Sequence, residues 1–229
     1  MKRISRLLIA GAAVLVMASP LAAQTRSGVL NSLEVKRLVT EGTPAANATL
    51  AKHFAALADR YDAEAAAHTA MANAYSGNPN HSIGGSMGVH CKKLAELATD
   101  SAKTAREMVT YHTNLATGAA PEAPKGAAAF DAGKGAPAPN AEDVKRLAAA
   151  AHTPSDHHAL QEYFLTLAKQ ETAEANDHAT MANTFRVSGQ RRGSEFAAVH
   201  CDSLAKQARD AAKEATASAE LHRQLANVG

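Results

Sequence analysis

The sequence lacks tryptophan, and aromatic residues make up only 4% of its 229 residues. It has two cysteines, and beyond residue 23 it has no apolar run long enough to cross a bilayer. Its 24 basic and 22 acidic residues nearly balance and are spread along the chain. These absences argue against a nucleic-acid-binding protein, which needs a basic stripe, and against a membrane-spanning protein. Alanine supplies most of the apolar fraction, which favours helices.

The first residues have the pattern of a secretory signal peptide. Three basic residues among the first six precede an apolar stretch over 7–17, and small residues follow as far as Ala23. No cysteine stands at the expected cleavage site, so we expect no lipid anchor. We therefore predict that residues 1–23 are removed and that the protein is periplasmic or secreted.

The remaining chain is an internal repeat. A shift of 110 residues aligns 43–116 with 153–226 without a gap. The matched pairs include Phe54 and Phe164, Glu64 and Glu174, His68 and His178, Met71 and Met181, Cys91 and Cys201, and His112 and His222. An Ala/Gly/Pro-rich segment over 119–139 has no periodicity and is typical of a linker. We therefore divide the mature chain into repeat 1 (24–118), this linker and repeat 2 (140–229).

Each repeat has signals for one short helix followed by two long ones. Asn31 with Glu34 three residues later predicts a capping box, and Asn140 begins the second repeat in the same way. Thr43 with Pro44 predicts the start of a long helix, as does the same pair in repeat 2. The fold class predicted is all-α: an antiparallel helical hairpin, duplicated into a four-helix bundle with a short N-terminal helix in each half.

The helix limits predicted in repeat 1 are about Tyr75 for the first long helix and about Leu115 for the second. A loop over 76–86, containing four Gly or Pro residues, separates them. In repeat 2 the corresponding limits are about Phe185 and Leu225. In an up-down-up-down bundle both hairpin loops would lie at the same end.

Chemically distinctive residues lie on the predicted buried face of the long helices. The apolar positions recur at alternating steps of four and three residues, and Glu64, His68 and Met71 fall on this stripe. Cys91 lies on the facing stripe, level with Met71 in an antiparallel hairpin. If both loops share one end, the clusters of the two repeats would share one layer of the core.

This combination of side chains suggests a metal site. Thiolate, imidazole and thioether ligands suit copper, especially Cu(I), whereas zinc has little use for Met. The predicted ligands are His68, Met71, His90, Cys91, His178, Met181, His200 and Cys201. Glu64 and Glu174 are predicted to hold the second ring nitrogen of His68 and His178.

Other interpretations remain open at this stage. Cys91 and Cys201 can form a disulfide in an oxidising compartment, giving a stapled structural or protein-interaction bundle with no metal. A b-type haem is a further alternative, whereas C-x-x-C-H attachment is excluded by sequence. We expect a monomer or homodimer, with a periplasmic protein as a potential partner. The sequence has no recognised catalytic motif, so we expect a binding or structural module and not an enzyme.

The remaining histidines divide into two groups. His112 and His222 lie at the far end of each hairpin, where we expect a structural role close to the Thr-Pro helix start. His53 and His157 have no histidine counterpart under the 110-residue shift, so we expect them on the surface.

Overall fold

The computed structural model describes residues 28–78, 81–118, 141–188 and 194–227. The proposed signal peptide, the linker over 119–139 and Asn140 lie outside these residues. The described chain contains six helices and no strand, so the predicted all-α class is confirmed. They are α1 Ser32–Glu41, α2 Pro44–Ser76, α3 His81–Thr117, α4 Ala141–Ala150, α5 Pro154–Val187 and α6 Ser194–Ala226. None of these helices is long and apolar enough to cross a membrane.

Local sequence signals set the starts of the helices. Asn31 accepts hydrogen bonds from the first turn of α1 while Glu34 reaches back to the Asn31 backbone, which completes the predicted capping box. Thr43 caps α2 and Thr153 caps α5, each followed by proline at the first helical position. The loop predicted over 76–86 is shorter in the structure, because α3 already begins at His81.

The four long helices form a bundle in which α2 and α5 lie further apart than the other neighbouring helices. Helix α2 packs along α3, α5 packs along α6, and the alanine-rich faces of α3 and α6 bring the two hairpins together. Among the described helices, α2 and α5 have no such close backbone approach, and longer side chains span the space between them. The two short helices, α1 and α4, each pack against both α2 and α5.

The two hairpins run in opposite directions. Along the α3–α6 contact, His90 meets Glu214, Ser101 meets Gln207 and Glu107 meets His200. The numbers rise along α3 while they fall along α6, so these helices are antiparallel. The hairpin loops therefore lie at opposite ends of the bundle, and the expectation that they share one end is wrong. Chain connectivity did not dictate the choice, because the 119–139 linker is long enough to permit either direction.

Candidate functional site

The sulfur-containing residues of repeat 1 lie where α2 and α3 approach closely. A Cβ atom built on Gly88 would lie 3.7 Å from the carbonyl oxygen of Ala72, so the two backbones are near each other at this level. Met71 precedes Ala72, and Cys91 follows Gly88 by almost one helical turn. Both Met71 and Cys91 are buried in the same apolar cluster. The hairpin register thus brings thioether and thiol to the same region of the core.

Repeat 2 has the same arrangement at the other end of the bundle. Met181 and Cys201 are both buried within one apolar cluster, which differs from the cluster that contains Cys91. His90, next to Cys91, contacts Glu214, which lies thirteen residues from Cys201 along α6. At the usual helical rise this separation is about 20 Å. The two cysteines therefore do not share one layer of the core, contrary to the expectation.

Both cysteines are free, buried thiols in the structure. A disulfide needs Cα atoms within about 7 Å, so the separation of Cys91 and Cys201 leaves no bond between them. Burial raises the pKa of Cys91 to about 12 and raises that of Cys201 as well. Each is therefore a neutral thiol in the metal-free protein at neutral pH.

The two histidines beside the cysteines point to the neighbouring hairpin. His90 Nδ1 lies 2.7 Å from a carboxylate oxygen of Glu214, and His200 Nε2 lies 2.7 Å from a carboxylate oxygen of Glu107. These contacts join α3 and α6. Both histidines were predicted as ligands, but one ring nitrogen of each, Nδ1 of His90 and Nε2 of His200, pairs with a carboxylate of the other hairpin.

His178 takes part in a hydrogen-bond network that crosses the gap between α2 and α5. Its Nε2 atom lies 2.8 Å from the hydroxyl of Tyr61 and 3.4 Å from a carboxylate oxygen of Glu174. The hydroxyl of Tyr61 donates to the Glu174 carboxylate, and the Arg60 guanidinium donates to it too. Burial alone would raise the pKa of Glu174, but the hydrogen bond from His178 and the charge of Arg60 outweigh burial and lower it to about 2.

His68, the counterpart of His178, has different surroundings. Glu64 Oε1 lies 3.4 Å from Arg60 Nε, and the structure records no hydrogen bond from Glu64 to His68. Of the two expected contacts, Glu64 with His68 and Glu174 with His178, only the second is therefore present, at 3.4 Å. His68 is 4% exposed, and burial lowers its pKa to about 4, so its ring is neutral at pH 7. The Nδ1 atoms of both His68 and His178 are buried without a hydrogen-bond partner.

A small cavity lies beside His68 at the middle of the bundle. Its volume is about 270 Å³ when the open solvent at its mouth is included. Its polar lining consists of Tyr61, Glu64, His68, Ser101, Glu171 and Gln207. Burial raises the pKa of Glu171 to about 9, with a further contribution from the charges of Glu174 and Glu64. The pKa of Glu64 is raised to about 7, also mainly by burial.

Sequence reasoning missed two members of this central group. Arg60 lies off the predicted apolar stripe, and no local sequence pattern indicates that its guanidinium contacts both Glu64 and Glu174. Glu171 had a signal that could have found it, because the 110-residue shift places it on the stripe position of Tyr61. A carboxylate at such a position requires either a partner or protonation.

The histidines at the far ends of the hairpins lie close to the Thr-Pro helix starts, as expected. His112 Nδ1 lies 3.0 Å from the Asn47 side chain in the first turn of α2, and its ring stacks on Phe54. His222 contacts His157 in the first turn of α5. The expectation that His53 and His157 lie on the surface is wrong, since both are buried. His53 Nδ1 accepts a hydrogen bond from the Leu30 backbone, which ties the segment before α1 to α2.

Within the described part of the chain, no three His, Cys, Asp or Glu side chains are placed to hold a metal ion. Comparisons with known proteins found no matching family model, curated protein or solved structure.

Proposed function

We propose that this is an exported binding protein that takes up a soft metal ion, with Cu(I) favoured, at one site in each repeat. The ligands would be His68, Met71 and Cys91 in repeat 1. In repeat 2 they would be the equivalent residues His178, Met181 and Cys201. His90 and His200 are left out of this set because one ring nitrogen of each pairs with a carboxylate on the facing hairpin.

One observation carries the proposal. In each repeat a buried Met and a buried Cys share a cluster, and a buried His one turn away has an unpartnered Nδ1. An orphaned buried nitrogen costs free energy, and a metal ion would satisfy it. A thiolate, a thioether and a neutral imidazole together favour copper over harder ions. Since the pKa of Cys91 is about 12, binding must displace the thiol proton.

The experiment is an anaerobic titration of the reduced, metal-free protein with Cu(I) in competition with a chromophoric chelator. We expect two ions per chain, with one proton released for each. Cys91→Ser and Cys201→Ser should each reduce the stoichiometry to one. His90→Ala is the matched control and should leave it at two. Unchanged binding in both serine variants, or no binding by the parent protein, would refute the proposal.

The alternative is a structural or protein-interaction bundle without metal. The pairs His90–Glu214 and His200–Glu107 favour it, because they use polar residues to join the hairpins. In that case the same titration would find two free thiols and no uptake of Cu(I). Zinc and haem remain less favoured: zinc would leave the Met unused, and the cavity beside His68 is smaller than most cofactor pockets.

Export rests on residues 1–23 and is tested separately. The intact mass of protein recovered from a periplasmic fraction should correspond to a chain that begins at Gln24. A full-length mass in the cytoplasmic fraction would argue against export.

A further inference from the structure

The hydrogen bonds around His178 determine which ring nitrogen carries the proton. The hydroxyl of Tyr61 uses its single proton to donate a hydrogen bond to the Glu174 carboxylate, so the hydroxyl oxygen can only accept a further hydrogen bond. His178 Nε2, 2.8 Å from that oxygen, must then be the donor. In its neutral form the ring is thus the Nε2–H tautomer, with the lone pair on the buried Nδ1 that has no hydrogen-bond partner. A metal-binding histidine has this arrangement when a carboxylate network holds its other nitrogen.

Repeat 1 lacks this arrangement at the equivalent positions. Under the 110-residue shift Tyr61 corresponds to Glu171, and Glu174 corresponds to Glu64. The Glu64 carboxylate lies by Arg60, and both Glu64 and Glu171 line the cavity beside His68. No described residue donates to or accepts from the His68 ring. Where His178 has two oxygen partners, His68 has a cavity, so neither its tautomer nor its orientation is fixed.

We infer that the two metal sites are unequal, and that Tyr61 is a positioning residue for the site in the opposite repeat. This inference rests on the proposed function. Tyr61 belongs to repeat 1 but orients His178 in repeat 2. The histidine of the second site is therefore already oriented before an ion binds, whereas His68 in the first site is not. Losing such an outer contact usually weakens metal binding by about 10–100-fold. We expect Cu(I) to bind repeat 2 more tightly by a similar factor.

Single-site variants separate the two affinities. Cys91→Ser leaves the site in repeat 2, and Cys201→Ser leaves the site in repeat 1. Chelator competition should give a dissociation constant for Cu(I) that is about 10–100-fold lower in the Cys91→Ser protein. Adding Tyr61→Phe should weaken binding about 10-fold in the Cys91→Ser background and by much less in the Cys201→Ser background, because Tyr61 lines the cavity beside His68 without a hydrogen bond to its ring.

The repeat also supplies a gain-of-function variant. Glu171→Tyr places tyrosine at the repeat 2 equivalent of Tyr61, where it can reach His68. We expect it to strengthen Cu(I) binding in the Cys201→Ser background. A loss of affinity there, in a protein whose circular dichroism matches the parent, would count against the inference.

The outcomes distinguish this inference from the proposed function. If neither single-site variant binds Cu(I), the proposed function fails. If both bind with the same affinity, or if Tyr61→Phe weakens both equally, only the inference is overturned. The tautomer is a separate readout that needs no variant: imidazole ¹⁵N shifts of the folded, metal-free protein should show His178 as Nε2–H. An Nδ1–H signature at His178 would overturn the inference.

Discussion

Replacing Glu171 with glutamine should stabilise the metal-free protein at neutral pH. Glu171 is 7% exposed, and no described residue forms a hydrogen bond or ion pair with it. Burial, with the charges of Glu174 and Glu64, raises its pKa from 4.5 to about 9. Folding at pH 7 therefore requires the carboxylate to take up a proton. Glutamine has a similar shape and is neutral at every pH, so its burial does not require the uptake of a proton.

The size of the effect follows from proton linkage. Each pH unit above the unfolded pKa of 4.5 costs the folded parent about 1.4 kcal/mol until the folded pKa is reached. The cost is thus about 3 kcal/mol at pH 7 and about 1 kcal/mol at pH 5. The sign is that of a raised carboxyl pKa: the folded state binds more protons at Glu171, so the contribution of this residue to the stability of the parent falls as pH rises from 4.5 to 9.

Urea unfolding of the reduced parent and the Glu171→Gln variant at pH 5 and pH 7 measures this difference. The advantage of the variant should grow by about 2–3 kcal/mol between the two values. Glu174→Gln is the matched control three residues away, and it should destabilise the protein at pH 7. The reason is that Glu174 has a pKa of about 2 and holds Arg60 and Tyr61. A Glu171→Gln variant no more stable than the parent at pH 7 would refute the reasoning.

His90→Ala should lower the free energy of unfolding by roughly 0.2–1 kcal/mol, the usual range for a partly exposed side-chain pair such as His90 with the Glu214 carboxylate; a loss of several kcal/mol in urea titrations would contradict this. Both thiols should react with a thiol reagent only after denaturation, since Cys91 is buried with a pKa of about 12, and rapid labelling of folded protein would count against that. Ala102→Leu should destabilise by about 1–3 kcal/mol because Ala102 is fully buried, whereas Lys103→Leu, on the exposed face, should change stability by less than about 0.5 kcal/mol. Equal effects of the two leucine variants in thermal melts would show that α3 does not bury the face assigned to it.

Several features were predictable because they depend on neighbours within one or two helical turns. The capping box of Asn31 with Glu34 and the Thr-Pro helix starts are examples. The common level of Met71 and Cys91 was also predictable, since a hairpin with a short loop has only one antiparallel register. By contrast, Glu214, the partner of His90, and Tyr61, the second partner of His178 besides Glu174, lie on the other hairpin, more than 100 residues away in sequence. No local pattern could identify them.

The sequence by itself determined six helices, the starts of α1, α2 and α5, and most of the residues that face the core, because helix formation and amphipathic spacing are local properties. The tertiary structure alone decided that the hairpins run in opposite directions, because the linker permits both directions and the packing of α3 on α6 selects one. That direction separates the two cysteines by about 20 Å. It also places Arg60 and Tyr61 beside Glu174, so two repeats that share Glu, His, Met and Cys have different environments around those residues.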